Sequence, residues 1–237
     1  MHRAEKEDVN MTDTCKLSMK TWAAAILAVI IIGMLTAVAY TNTNDALKST
    51  AQLGMKSVVG VMATQINASD ISGFEPGDET SPRYIAAVNK LRTLRSMDDN
   101  ILNAYILKIG PDRTVRFVVD DLSVSDPQGS AKIGEVSTSP DTLEIFGALS
   151  APTVSREPYT TKYGSFVSAY APIDDSSVGS FGNTTAVLAI DISAEDYISQ
   201  TAIGSWIIAT GVVSMILVVG AIAVYGRRRD EDGKKQE

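Results

Sequence analysis

Two long uninterrupted runs of apolar residues dominate the hydrophobic pattern of the chain. The first extends from Thr21 to Tyr40 and the second from Ile203 to Tyr225, and neither contains a charged residue. Each run is long enough to cross the roughly 30 Å hydrocarbon layer of a bilayer as a helix. The pattern therefore predicts transmembrane helices at residues 21–41 and 203–225.

Basic residues flank both predicted spans. They lie in an N-terminal tail, residues 1–20, and in a C-terminal tail, residues 226–237, which begins with GRRR. The positive-inside rule places both tails in the cytoplasm and residues 42–202 outside the cell membrane. Cleavage of the first span as a signal peptide after Ala37-Val38-Ala39 is the alternative. Because the apolar run is longer than an ordinary signal core, we expect an uncleaved anchor.

An apolar stripe follows the first span at steps of three and four residues. Its members are Leu47, Ala51, Met55, Val58, Met62 and Ile66. This spacing predicts one face of a helix, and since no proline lies between Thr21 and Ile66, we expect the membrane helix to continue outward. The stripe either packs on its own domain or forms a homodimer contact, and Gly33-x-x-x-Ala37 would allow two first spans to approach closely.

The remaining outer segment alternates between helix signals and strand signals. Cap-proline pairs at Ser81-Pro82 and Ser139-Pro140 predict two helix starts. Four runs rich in β-branched and aromatic residues predict strands, at residues 103–109, 114–121, 163–173 and 186–192. The first two form a hairpin, so the pattern predicts an α+β domain with an antiparallel sheet.

Composition excludes several kinds of site in this domain. The only cysteine, Cys15, and the only histidine, His2, both lie in the N-terminal tail, so a catalytic triad or a zinc site built on either residue is impossible outside the membrane. The net charge of −7 and the lack of a basic stripe argue against nucleic acid. We expect no cofactor and no metal, because the loop acids Asp120, Asp121 and Asp126 lack the regular spacing of a calcium loop.

Four segments between Tyr84 and Tyr197 together resemble the extracytoplasmic Cache sensors, also called PDC domains, of membrane receptors and sensor histidine kinases. The segments are YIAAVNKLRTLRSMDDNILNAYILKI, RFVVDD, TKYGSFVSAYAPI and AVLAIDISAEDY. The resemblance implies a PAS-like fold, in which a long N-terminal helix packs on a central antiparallel sheet. It also implies a ligand pocket on the open face of that sheet.

Candidate ligand contacts follow from this resemblance and from the strand faces. Two-residue alternation places Arg116 and Asp120 on one face of the second strand and Phe117 on the other, and it places Phe166, Ser168 and Tyr170 on one face of the third strand. In Cache domains that bind amino acids, an acid at the position of Asp191 pairs with the ligand's amino group. Those domains also carry an Arg-x-Trp element, whereas residues 143–163 here contain no tryptophan. Asp191 therefore either contacts a ligand, caps the following helix or binds backbone amides. The other candidates are Tyr105, Arg116, Tyr163, Phe166, Ser168 and Tyr170, of which Arg116 could hold a carboxylate.

The predicted function is a non-enzymatic, membrane-anchored sensor that binds a small molecule and transmits a helix shift inward. Only GRRRDEDGKKQE follows the second span, so we expect the output to pass through a separate kinase or transducer, or through a module that this sequence lacks. An accessory subunit that binds another protein is the alternative. A hydrolase using paired carboxylates such as Asp120 and Asp191 has no nucleophile motif to support it.

Overall fold

The computed structural model describes residues 19–174, 186–201 and 204–234. The chain divides into two compact units, one formed by Met1–Asn44 with Ile203–Glu237 and the other by Asp45–Ala202. Most of the predicted N-terminal tail, with His2 and Cys15, lies outside the described residues, as does the predicted turn between the last two strands. The predicted domain boundaries stay a prediction.

Two long helices supply the first unit. Helix α1, Met19–Ala63, is continuous through the predicted outward extension, and α6 is Gly204–Lys234. Two helices of the described chain have the length and apolar composition needed to cross a membrane. Small residues allow them to pack closely, since a Cβ placed on Gly211 would lie 2.5 Å from the hydroxyl of Thr36. Gly33 was expected to let the first spans of two copies approach each other. In the structure it faces Met215 of the same chain, whose terminal carbon would lie 3.4 Å from a Cβ placed on Gly33.

The second unit contains a six-stranded antiparallel sheet. Its strand order is β2-β1-β6-β5-β3, and β4 pairs with β5 beside β3. The strands are β1 Ile101–Ile109, β2 Val115–Asp120, β3 Thr153–Val154, β4 Tyr159–Thr161, β5 Gly164–Pro172 and β6 Ala186–Ser193. The helices are the outer part of α1, α2 Ala68–Ile71, a 3-10 turn Asp78–Thr80, α3 Pro82–Arg95, α4 Thr142–Gly147 and α5 Ala194–Thr201.

Helices α1 and α3 cover one face of the sheet, and α4 packs on the other face. The outer part of α1 contributes buried Met55, Val59 and Met62 to the same core as α3 and alternate residues of the central strands, such as Ile106 and Leu188. The predicted stripe therefore packs on its own domain, while the homodimer stays a prediction. The predicted class is confirmed: the unit is α+β, with a long N-terminal helix over an antiparallel sheet, as the Cache resemblance implied.

A β-bulge in β2 changes which residues share a face. Ile106 of β1 pairs with Val119, but the next residue, Leu107, pairs with Phe117, so Val118 is the extra residue. A bulge interrupts the two-residue alternation of a strand. Strict alternation predicted Arg116 and Asp120 on one face, and this was wrong: Asp120 shares the open face with Phe117, while Arg116 lies on the other face.

Candidate functional site

A small cavity lies on the face of the sheet opposite α1 and α3, the face on which α4 packs. Its volume is about 30 Å³, close to the share of one water molecule in the liquid. Strands β1, β2, β4, β5 and β6 and the loop after β2 enclose it. Its lining residues are Asn103, Tyr105, Phe117, Asp120, Gly129, Ser137, Thr138, Ser139, Tyr159, Thr161, Tyr163, Phe166 and Asp191.

Asp191 lies at the centre of this site because β6 is a central strand. Its backbone is opposite Asn103 of β1 and Ser168 of β5, so the carboxyl has a strand on each side and is 4% exposed. The carboxylate accepts hydrogen bonds from the hydroxyl of Tyr105, at 3.0 Å, and from the hydroxyl of Ser168. Burial is the main reason that the pKa of Asp191 is raised to about 7.

The hydrogen bonds of Asp191 do not cap helix α5. Ser193 takes the position before that helix, and its hydroxyl accepts from the backbone N–H of Asp196 at 3.4 Å. The partners of Asp191 among the described residues are side-chain hydroxyls on β1 and β5. The buried strand thus ends on an acid that faces the pocket, and the cap reading of this acid was wrong.

Two further carboxylates are buried near the cavity. Asp120 accepts from the backbone N–H groups of Leu122 and Ala131, both at 2.9 Å, and thereby holds the loop after β2. Burial raises the pKa of Asp120 to about 6. Asp141, just before α4, accepts from the hydroxyls of Ser155 and Tyr170. Burial raises the pKa of Asp141 as well.

The structure brings six of the seven predicted residues together. Tyr105, Tyr163, Phe166 and Asp191 line the cavity. Ser168 and Tyr170 do not line it, but they lie beside it through hydrogen bonds to Asp191 and to Tyr159, respectively. The exception is Arg116, whose guanidinium is exposed and donates to the carbonyl oxygen of Gly134 at 3.0 Å.

Sequence reasoning missed several residues of the site. Tyr159 lies on the three-residue strand β4, which is too short to show a period, and Asp141 follows a Ser-Pro pair that indicates only a helix start. Phe117 was assigned to the face opposite Asp120 because the bulge was not foreseen. Its ring centroid lies 5.3 Å from that of Tyr105 and 6.3 Å from that of Tyr163, so three aromatic rings form one wall.

The lining contains acidic residues. Among the described lining residues, Asp120 and Asp191 are acidic and none is Lys, Arg or His. Lys162 lies in sequence between the lining residues Thr161 and Tyr163; its ammonium pairs with Glu135 at 2.8 Å and lies 4.8 Å from the ring centroid of Tyr163. No group of three residues among those described has the arrangement of a metal site.

The chain is similar to several solved structures, all at low sequence identity. One is the ligand-binding domain of the Campylobacter jejuni chemoreceptor Tlp3 in complex with L-norvaline, with 14% identity and a TM-score of 0.39. Another is the periplasmic domain of RsbU from Chlamydia trachomatis, with 13% identity and a TM-score of 0.41. A third, methyl-accepting chemotaxis protein X, has 11% identity and a TM-score of 0.33.

These matches cover 78%, 77% and 78% of this chain, in the same order. The chain in turn spans 64% of the Tlp3 domain, 56% of the RsbU domain and 68% of protein X. No protein-family model matches the chain, and no curated protein matches it.

Proposed function

We propose that this chain is a non-catalytic, membrane-anchored sensor whose outer domain binds a small molecule through a cationic group. The observation that carries the proposal is the buried carboxylate of Asp191, which faces an aromatic cavity lined by a second acid and by no basic residue among those described. A buried carboxylate is costly unless it is protonated or paired. An ammonium group of a ligand would provide that missing partner.

The same geometry argues against the carboxylate ligand suggested by Arg116. Its guanidinium projects from the opposite face of the sheet and contacts Gly134, and a carboxylate in the cavity would meet Asp120 and Asp191 instead. The aromatic wall of Tyr105, Phe117 and Tyr163 favours a cation further, because the faces of aromatic rings attract positive charge. We therefore assign the ligand an ammonium or similar cationic head.

The proposal includes the membrane arrangement predicted from the sequence. The two spans would be residues 21–41 and 203–225, with both tails cytoplasmic and residues 42–202 outside. Helix α1 belongs both to the first span and to the wall of the outer domain. A ligand that binds one arrangement of α1 more tightly than another would shift the helix population. Output would then pass to a separate kinase or transducer.

The small cavity imposes one condition on this function. A space of about 30 Å³ admits little more than a water molecule, so a ligand must displace side chains as it enters. Tyr159, at the rim of the cavity on the short strand β4, is half-buried. Binding is therefore expected to move β4 and the loop of residues 121–140 against the rest of the sheet.

The test uses the full chain in detergent micelles and two matched series of compounds. Amino acid methyl esters carry the ammonium without the carboxylate, and N-acetyl amino acids carry the carboxylate without the ammonium. We expect only the esters to raise the unfolding temperature, with a stabilisation of about 2.7 kcal/mol at a hundred times the Kd. Asp191→Asn should abolish this effect, and the exposed control Asp112→Asn should retain it. Stabilisation by the N-acetyl series would contradict the proposal.

An accessory subunit that binds another protein is the second candidate function. The small volume of the cavity, about 30 Å³, favours it, because the hydroxyls of the lining residues Tyr105 and Tyr159 already have hydrogen-bond partners within the domain. In that case neither series of compounds would stabilise the chain.

A further inference from the structure

A row of hydroxyl groups joins Asp191 in the pocket to Asp141 before α4. Ser168 donates to Asp191, and its oxygen lies 2.5 Å from the hydroxyl of Tyr159. The hydroxyl of Tyr159 lies 3.3 Å from that of Tyr170, which donates to Asp141 at 3.1 Å. Ser168 and Tyr170 are fully buried. The two carboxyls are therefore the ends of one hydrogen-bonded chain.

This hydrogen-bonded row contains more oxygen-to-oxygen contacts than hydroxyl protons. Four oxygen-to-oxygen contacts connect the two carboxyls, but Ser168, Tyr159 and Tyr170 supply one hydroxyl proton each. If both carboxyls are ionised, the outer hydroxyls donate to them, and one of the two contacts of Tyr159 has no proton. One additional proton fills all four contacts.

We propose that Asp191 and Asp141 share a single proton through the hydroxyls of Ser168, Tyr159 and Tyr170, which makes this site a pH-sensitive switch. The shared proton has two possible places, one on each carboxyl. When it is on Asp191, every hydroxyl donates toward Asp141. When it is on Asp141, every hydroxyl donates toward Asp191, so the chain has two discrete arrangements.

The surrounding charges support one retained proton. The titratable groups that face the two carboxyls come from five elements: Tyr105 of β1, Asp120 of β2, Tyr159 of β4, Tyr170 of β5 and Glu144 of α4. None of these groups carries positive charge. Glu144 is itself paired with Arg156 at 3.0 Å. Burial raises the pKa of both Asp191 and Asp141, which favours the protonated form of the pair.

The hydrogen-bonded row ends at Asp141, which is linked to helix α1 through Ser155. Asp141 also accepts from the hydroxyl of Ser155, and the carbonyl oxygen of Ser155 accepts from the side-chain amide of Gln52 at 3.2 Å. A cationic ligand needs an ionised Asp191, so its binding would move the shared proton to Asp141, beside this contact. This last step rests on the proposed function, whereas the shared proton does not.

The experiment measures titration without any ligand, so it remains informative even if no ligand binds. The full chain in detergent micelles, labelled with ¹³C at the aspartate carboxyls, is titrated by NMR, and Asp191 is assigned from Asp191→Asn. In wild type we expect proton uptake at Asp191 near pH 7. Asp141→Asn should shift this uptake to a lower pH, because the asparagine N–H supplies the fourth proton of the hydrogen-bonded row and only burial then favours a proton on Asp191. Uptake at the wild-type pH in Asp141→Asn would overturn the proposal, since burial alone would then explain it.

Tyr159→Phe provides the second arm of the test. Removal of its hydroxyl interrupts the chain, so Asp141→Asn should no longer change the titration of Asp191 in this background. Tyr163→Phe is the matched control, because the hydroxyl of Tyr163 donates to Glu135, outside the chain, at 2.5 Å. In the control background the effect of Asp141→Asn should persist. Equal behaviour of the two backgrounds would also refute the shared proton, and circular dichroism checks that each variant is folded.

Discussion

The buried carboxyl of Asp191 predicts an unusual dependence of stability on pH. In the folded chain its pKa is raised from the ordinary 3.8 to about 7, so between these values the folded state binds a proton that the unfolded state releases. Stability must then fall as the pH rises through this interval. Since each pH unit is worth about 1.36 kcal/mol, protonation of Asp191 contributes roughly 4 kcal/mol below pH 4 that is lost above pH 7.

The assay is chemical unfolding of the full chain in detergent at a series of pH values between 4 and 8. Wild type should become less stable across this interval, while Asp191→Asn, which is neutral at every pH, should lack most of the slope. Asp120, whose pKa is raised to about 6, adds a smaller slope of the same sign. Asp112→Asn is the control, because that carboxyl is exposed and its pKa is lowered by hydrogen bonds from Thr114. If Asp191→Asn keeps the wild-type slope, the burial argument fails.

Three further predictions concern single contacts. Arg95→Ala should destabilise the chain by about 3–5 kcal/mol in chemical unfolding, because the fully buried Asp121 loses its ion pair at 2.5 Å. Lys90→Ala, which removes an ion pair with the exposed Asp70, should cost under about 1 kcal/mol. Ser81→Ala should cost about 1 kcal/mol by the same assay, because its hydroxyl caps α3. Arg116→Ala should leave the Kd for a cationic ester unchanged in calorimetric titration, and a large loss of affinity would contradict the position assigned to its side chain.

The sequence alone determined the elements whose signals are local. Charge-free apolar runs predicted the helices near both ends, and the steps of three and four residues from Leu47 to Ile66 predicted the buried face of α1. The apolar run that ends at Asp191 predicted a strand, and β6 is that strand, with residues 187–191 all buried. Two-residue alternation also placed Phe166, Ser168 and Tyr170 on one face of β5, as the structure has them.

Only the tertiary structure decided which of these side chains meet. Because of the bulge at Val118, Arg116 and the pocket lie on opposite faces of the sheet. The bulge arises from the register between β1 and β2, and the sequence of one strand alone does not predict that register. Asp141 and Ser155 are distant from Asp191 in the sequence. They approach it in space because β3, which precedes Ser155, pairs with β5, and Ser155 then contacts Ser168. Periodicity reports the face that each residue takes, whereas the partners of a buried polar group are set by contacts between distant segments.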